Sequence, residues 1–527
     1  MPRFLGLDSS TQSLSAILID TDSGQVVANH SVAFGERLPG YGSPRGFLPN
    51  PDPQVVQSDP LMWVEALELV LGDMRAAGVS FADVRGISGA GQQHGSVYLQ
   101  RSFDTIGDWS TTASLRDQVA PLLSRKVSPI WMDSSTGAAC AEIAAAVGGD
   151  ARVVALTGSR AIPRFTGPQI RKFWQQSPAD YQRTAEIHLV SSFIASVLIA
   201  RTAPIDRGDG AGMNLLELAT GAWSPTMLDA TAPELASKLR PAVAGATSVG
   251  TVAPYFVKKF GFAAGTPVLA FTGDNPSSLV GMGATAPGHL VVSLGTSDTV
   301  FASMAAPRVD PRGYGHVFGN PAGGFMALVC FANGSLAREA VANRFKLDWP
   351  AFARAILEQT KPGNDGNLLL PFFVPEITPR LAMPAERWLG TPSFVAGKDP
   401  AAAARAVVEA QALNLRLHSA FIGESVDTVL VTGGASQNAG VLRVLADVFQ
   451  ARIVPLAVAN SSALGGALRA AQAVAGTPWS DLFARFSAPD ATRAVEPDPR
   501  TRATYTELGA AFEKQITDLV ASPFVKG

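Results

Sequence analysis

The sequence predicts an α/β protein of two similarly built domains, and three observations carry that expectation. The first is Phe4-Leu-Gly-Leu-Asp-Ser-Ser-Thr-Gln-Ser-Leu-Ser-Ala-Ile-Leu-Ile-Asp20, two apolar runs around a polar turn. Its alternation from Ser13 to Ile19 reads as the return strand of a hairpin. The second is a copy of that pattern at Leu290-Val-Val-Ser-Leu-Gly-Thr-Ser-Asp-Thr-Val-Phe-Ala302. The third is a set of apolar strands that run into Gly-rich polar loops, where open α/β sheets bind ligands. A chain of 527 residues has room for two to four domains at roughly 150 residues each.

The elements follow in order. After the first hairpin, Gly35 to Pro60 reads as a long loop. A helix begins at Pro60, capped by Ser58 or Asp59, buries Trp63, Leu67, Val70 and Met74, and stops at Gly78. Val84 to Ser88 is a strand entering Gly89-Ala-Gly-Gln-Gln-His-Gly95. Ser128 to Asp133 is a second strand, and Pro267 to Thr272, ending at Gly273-Asp274-Asn275, is a third. Ile187 to Ala200 is too short and too interrupted by His188 and serines to span a bilayer, and reads as a buried helix. The domain switch is placed near Gly281 to Gly288, giving domains 1–284 and 285–527. A helix from Asp399-Pro400 to near Gly423, the strand Thr428 to Thr432, Gly433-Gly-Ala-Ser-Gln-Asn438, a helix through Leu442, Leu445 and Val448, and the strand Arg452 to Pro455 follow. Asn460-Ser-Ser then caps a small-residue helix holding Gly465 and Gly466. Lys361 to Lys398 reads as a loop-rich insertion.

Composition excludes some partners. The chain has 42 Lys and Arg against 44 Asp and Glu, a net charge of −2, with no long basic run. Nucleic acid and anionic membranes are therefore not expected as partners. Two cysteines, Cys140 and Cys330, are too few for a disulfide framework, and the N-terminus lacks a signal-type apolar segment, so a cytoplasmic location is expected.

The first turn gathers Asp8, Ser9, Ser10, Thr11, Gln12 and Ser13. Hydroxyl and N–H donors suit phosphate, and the carboxylate suits a magnesium ion or its waters. One such turn also fits a solvated hairpin; the copy shifts the reading towards phosphate. Aligned on the turns, Thr11 meets Ser297, Ser13 meets Thr299 and Asp8 meets Leu294, so only the first hairpin would organise metal.

Asp274, in Gly-Asp-Asn-Pro after a buried-type strand, is the candidate general base for a hydroxyl attacking a γ-phosphate; the alternative is a helix cap. His94 with Gln92 and Gln93 could read several hydroxyls, or serve as a structural histidine. Arg164 could donate to a sugar or remain a surface charge, and Asp133 could contact ligand or cap the next helix. Gly433-Gly434 would let a flat base approach the backbone, with Asn438 beside it. No GxxxxGK[ST] loop, HExxH or CxxC occurs, so any phosphotransferase here must use the hairpins.

These motifs resemble the FGGY carbohydrate kinases of the actin/hexokinase/Hsp70 ATPase superfamily. The resemblance is carried by Gly6 to Ser13, Ile87 to Val97, Trp131 to Thr136, Arg164 to Ile170, Asp209 to Leu216, Phe271 to Leu279, Ser293 to Thr299 and Val431 to Asn438, in order along most of the chain. Within the family it is closest to the members of eukaryotic type that act on D-xylulose. It implies two ribonuclease-H-like domains with an interdomain cleft, and ATP-dependent phosphorylation of D-xylulose to D-xylulose 5-phosphate, with Mg²⁺. It assigns sugar to Gln93, His94, Arg164, Asp274 and Asn275, with Asp274 as base, and magnesium to Asp8. Ser10, Thr11, Gly295, Thr296 and Ser297 would face phosphate; Trp349, Gly433, Gly434 and Asn438 would line the nucleotide. Alternatives are a kinase for ribulose, glycerol or another ketose or polyol, and a non-catalytic actin- or Hsp70-like ATPase. A homodimer is left open.

Overall fold

The computed structural model describes residues 2–522, and its contacts divide into two units. Unit 1 holds residues up to Thr285, Val317–Met326 and Val458–Ala488; unit 2 holds Ala286–His316, Ala327–Ala457 and the remainder from Pro489.

Unit 1 is built on strands β1 (Arg3–Ser9), β2 (Ser13–Asp20), β3 (Gln25–Ala33), β4 (Val84–Gly91), β5 (Ser248–Thr251) and β6 (Pro267–Leu269), in the spatial order β5-β6-β4-β1-β2-β3. β1 to β3 pair antiparallel, as hairpins must, whereas β4 joins β1 in parallel after a helical crossover. That crossover is α1 (Pro60–Ala76), whose Asp59 N-cap accepts from the Leu61 N–H at 2.9 Å. Trp63, Leu67, Val70 and Met74 are fully buried on it, and Gly78 follows with φ +88°. The stretch read as one helix from Ile187 is instead a strand, Glu186–Leu189, leading into α2 (Val190–Ile199). Both are buried, and hydrophobicity without period cannot separate a buried strand from a buried helix. Of Ser128 to Asp133 only Ser128–Pro129 is extended, because Asp133 turns the chain. Short helix α3 (Arg207–Ala211) and α4 (Asp274–Gly281) complete the part that bears on the site.

The second sheet is built of β7 (Leu290–Leu294), β8 (Asp298–Met304), β9 (His316–Gly319), β10 (Phe325–Phe331), β11 (Thr428–Thr432) and β12 (Arg452–Pro455), in the order β9-β10-β8-β7-β11-β12; β7, β8, β11 and β12 lie in unit 2, whereas β9 after His316 and the first two residues of β10 are grouped with unit 1. The plan matches that of unit 1: a first hairpin, then a parallel partner beside its first strand. Helices α5 (Ser335–Arg344), α6 (Trp349–Leu357), α7 (Pro400–Ser419) and α8 (Ala439–Phe449) belong to unit 2. The insertion between Lys361 and Lys398 contains a short antiparallel pair, Leu368–Leu370 with Arg387–Leu389.

The chain then returns to unit 1 as α9 (Ser461–Ala475). Asn460 precedes it with φ +50° and no capping hydrogen bond, so it does not cap in the expected way. α9 lies directly on backbone. A Cβ on Gly6 of β1 would sit 1.9 Å from the Ala463 carbonyl oxygen, one on Gly281 1.9 Å from that of Ser461, and one on Gly465 1.9 Å from that of Ser277. Only glycine permits these approaches.

Candidate active site

In unit 1 the chemistry gathers at the C-terminal ends of β1 and β4 and the start of α4. Asp8, next to last in β1, is 8% exposed; its Oδ2 accepts from Ser10 Oγ at 2.6 Å, and its Oδ1 has no hydrogen-bond partner. Burial raises its pKa against the pull of Ser10 and Ser462. Trp131 Nε1 donates to Thr11 Oγ1 at 2.8 Å, fixing the next turn residue. The last ladder pair of this hairpin is Ser9 with Leu14; that of the second is Leu294 with Asp298. The second turn is therefore one residue shorter. On the incoming strand Asp8 corresponds to Ser293 rather than Leu294, and the second copy still lacks the acid.

Asp274 opens α4. The N-cap is Gly273, which has no side chain to cap with. Asp274 Oδ1 accepts from the backbone N–H of Asn275 at 2.9 Å and of Gln93 at 3.3 Å, and from Asn275 Nδ2 at 3.2 Å. Asn275 Nδ2 also donates to Gln93 Oε1 at 2.9 Å, so these three residues form one array. Burial first, and the Asp8 carboxylate second, push the Asp274 carboxyl up to about 7, against the N–H donors of Gln93 and Asn275. A carboxyl tuned there can take or lose a proton near neutrality.

His94 has φ +72° and its Nδ1 lies 2.8 Å from the Gly212 carbonyl oxygen. A carbonyl only accepts, so Nδ1 carries the proton. The ring stacks on Phe165, centroids 4.3 Å apart, and Thr166 Oγ1 donates to the His94 carbonyl. Around this array buried polar atoms lack partners: both side-chain atoms of Gln92, Nε2 of Gln93 and Nε of Arg164. Such atoms each cost about 1–3 kcal/mol and mark places where water or a polar ligand supplies the missing bonds. Asp133, by contrast, is saturated: it accepts from the Val56 N–H, the Ser135 N–H and Gln169 Nε2, tying three segments.

Sequence reasoning assigned no role to Asp206, Asp209 or Arg469. Asp209 is fully buried on α3; its Oδ2 accepts from Ser191 Oγ at 2.5 Å and its Oδ1 is unpartnered. Burial raises its pKa well above the carboxylate range; the Ser191 hydroxyl opposes this, and Asp206 and Asp274 add to it. The run Asp-Gly-Ala-Gly-Met-Asn was visible as part of the motif from Asp209 to Leu216 that carries the family resemblance, but no role was drawn for its acid.

Unit 2 carries a cavity of about 730 Å³ whose lining includes Gly295, Thr296, Arg338, Trp349, Gly434 and Asn438. That volume suits a nucleoside-sized ligand. Trp349, first in α6 after the Asp348 N-cap, is 48% exposed, a flat apolar face on the wall. Asn438 caps α8, its Oδ1 accepting from the N–H groups of Gly440 and Val441, while its Nδ2 lies 3.5 Å from the Trp349 carbonyl oxygen. Gly433 has φ +90°, and a Cβ there would lie 2.3 Å from the Leu294 carbonyl oxygen, so glycine is required. Gly433 and Ser297 flank this cavity in sequence but are not among its lining residues.

Among the described residues no group of three His, Cys, Asp or Glu could hold a metal, and no helix is long and apolar enough to cross a membrane. The orphaned Asp8 Oδ1 does suit a Mg²⁺ ion that keeps its waters and takes its other ligands from phosphate.

Comparison with known proteins places these residues in context. Residues 3–281 match the N-terminal domain, and 290–474 the C-terminal domain, of the FGGY family of carbohydrate kinases. The chain is 41% identical to the xylulose kinase of Rattus norvegicus over 98% of both chains. It is 38% identical to xylulose kinase 2 of Arabidopsis thaliana, over 89% of this chain and 86% of that one. The crystal structure of xylulose kinase from Rhodospirillum rubrum shares the fold, with a TM-score of 0.82 at 23% identity and 99% coverage of both chains.

Proposed function

Because this chain belongs to the FGGY family of carbohydrate kinases, we propose that it transfers the γ-phosphoryl group of ATP to D-xylulose, giving D-xylulose 5-phosphate. The choice of sugar is supported by full-length relatives that carry the name xylulose kinase. The observation that carries the chemistry is Asp274, tuned to about 7 and set among buried amides that lack partners.

The ketose binds in unit 1. Gln93, His94, Arg164 and Asn275 supply donors and acceptors to its hydroxyls, and the attacking hydroxyl lies within reach of Asp274. As the O–P bond forms, Asp274 takes the hydroxyl proton; the step is late, since phosphoryl transfer depends mainly on positioning and charge. The His94 tautomer, fixed by Gly212, keeps its ring oriented for the sugar. Thr11, whose hydroxyl accepts from Trp131, donates its proton to phosphate in unit 1 while Ser10 beside it donates to Asp8, and Gly295, Thr296 and Ser297 face phosphate in unit 2. Trp349, Gly433, Gly434 and Asn438 receive the adenosine. Asp8 would hold Mg²⁺, which when bound neutralises charge on the terminal phosphates. The balanced charge and the two cysteines support a cytoplasmic setting.

The test is ADP release with ATP and Mg²⁺ across a panel of ketoses, aldoses and polyols. D-xylulose should give the highest kcat/KM. A stronger response to glycerol or ribulose, or ADP release independent of any sugar, would overturn the assignment.

A further inference from the structure

Arg469, on α9, is buried in unit 1, yet among the described residues no carboxylate lies within ion-pair distance of it. Its guanidinium points into the sheet. Nη2 donates to the Gly89 carbonyl at 2.6 Å, and Nη1 donates to the Ala270 carbonyl at 2.9 Å and lies 3.4 Å from the Gly245 carbonyl. The acceptors are not scattered. Gly89 is in β4, three residues before Gln92 and five before His94. Ala270 directly follows β6, four residues before Asp274. Asp206, whose charge acts on Arg469, is the N-cap of α3, and α3 ends beside Gly212, the carbonyl that orients His94.

We propose that Arg469 is a positioning residue for phosphoryl transfer: at Ala270, where the pairing of the 267–273 segment with β4 breaks between Val268–Ile87 and Thr272–Ala90, it holds the separation between the β4 end, which presents Gln93 and His94, and the segment end that presents Asp274. This rests on the reading of unit 1 as the ketose site. Nε of Arg469 is buried without a partner, so the desolvation cost of its charge is offset through the two Nη groups and the carbonyls they hold. A guanidinium is the side chain that can hold two or three carbonyls in one fixed plane, which a lysine ammonium cannot do. The array that depends on that separation is the contact of the Gln93 backbone N–H and side chain with Asp274 and Asn275 across the two strand ends. Glycines at 465 and 466 let α9 sit close enough for Arg469 to reach both carbonyls; a Cβ on Gly466 would lie 2.9 Å from Gly89 Cα.

The experiment compares the full chain with Arg469→Met and Arg469→Lys. Two readouts are taken on each: amide hydrogen exchange without ligand, and initial rates with ATP and varied D-xylulose. In Arg469→Met, exchange should rise at 89–94 and 270–275 while β7, β8, β11 and β12 of unit 2 stay at wild-type protection. kcat/KM for D-xylulose should fall about 10²-fold, the scale of a small misplacement of reacting groups, with KM for ATP changed less than threefold. Arg469→Lys should recover part of the loss. Unaltered exchange in both segments would overturn the proposal whatever the sugar, as would equal losses of protection in both units or equal effects on both substrates. A wild-type enzyme that ignores D-xylulose would instead sink the functional reading, leaving the exchange comparison to judge Arg469.

Discussion

The two units share a strand plan but treat their buried carboxylates differently. In unit 2, Asp298 at the start of β8 is 2% exposed and meets Arg338 through two parallel bonds, 2.9 Å from Nη1 to Oδ2 and 3.0 Å from Nη2 to Oδ1. In unit 1, Asp8, Asp209 and Asp274 are gathered with no cation among the described residues bonded to any of them, and two of them keep an oxygen without a partner. Burial raises the pKa of the Asp298 carboxyl too, but Arg338 opposes it and uses both oxygens; the unit 1 carboxylates lack that counter-charge and keep unused bonding capacity, which a substrate or cation can draw on. The duplicated architecture thus carries asymmetric chemistry, and its asymmetry lies in where the cations are.

The largest expected effect comes from removing the uncompensated acid. Asp274→Ala should lower kcat for D-xylulose by roughly 10²–10⁴ with little loss of stability. Near-wild-type turnover with a lowered Tm would make Asp274 a helix-start residue and end the contrast. The mirror experiment is Asp298→Ala, which leaves Arg338 buried and unpaired. It should cost about 3–5 kcal/mol in stability, read by denaturant titration, with KM for D-xylulose unchanged. A stable Asp298→Ala protein with lost sugar affinity would reverse the roles assigned to the two units. Next is Asp8→Asn, which removes the charge and keeps the shape. It should raise the Mg²⁺ concentration needed for half-maximal rate about tenfold or more while calorimetric D-xylulose binding stays nearly intact. Lost sugar affinity with a normal Mg²⁺ response would move Asp8 to the sugar.

Much of this was legible in the chain because the relevant signals are local. The two hairpins, α1 with its Asp59 cap, and the strand ends before His94 and Asp274 follow from alternation, capping chemistry and glycine placement. What the sequence hid is long-range. Nothing near Arg469 indicates that its guanidinium reaches the carbonyls of Gly89 and Ala270, since that depends on α9 folding back onto unit 1. Asp209 was hidden for the same reason: its Ser191 partner and its proximity to Asp274 are tertiary facts. The Glu186–Leu189 strand was lost in a continuous apolar run, where hydrophobic period carries no information. The one-residue difference between the hairpin turns shows only when strand register is known.

The smallest effect tests the uncompensated state itself, through stability rather than rate. The Asp274 carboxyl titrates at about 7 in the folded chain, against 3.8 for the ordinary group. Between those values the folded state binds more protons than the unfolded one, so stability from this group falls as pH rises. Its protonated form contributes fully below about pH 4, and the contribution is gone above about pH 7. Asp274→Asn mimics the protonated form at every pH. Without ligands it should therefore raise Tm relative to wild type at pH 8, and the difference should shrink steadily towards pH 4. The size at pH 8 is a few degrees at most, because partial exposure and the Gln93 and Asn275 donors soften the cost of the charge. Saturating Mg²⁺-ADP should narrow the gap if a cation near Asp8 relieves the repulsion that helps raise Asp274. A difference in Tm that stays flat from pH 4 to pH 8 would mean that Asp274 is ionised throughout and that its charge is already compensated.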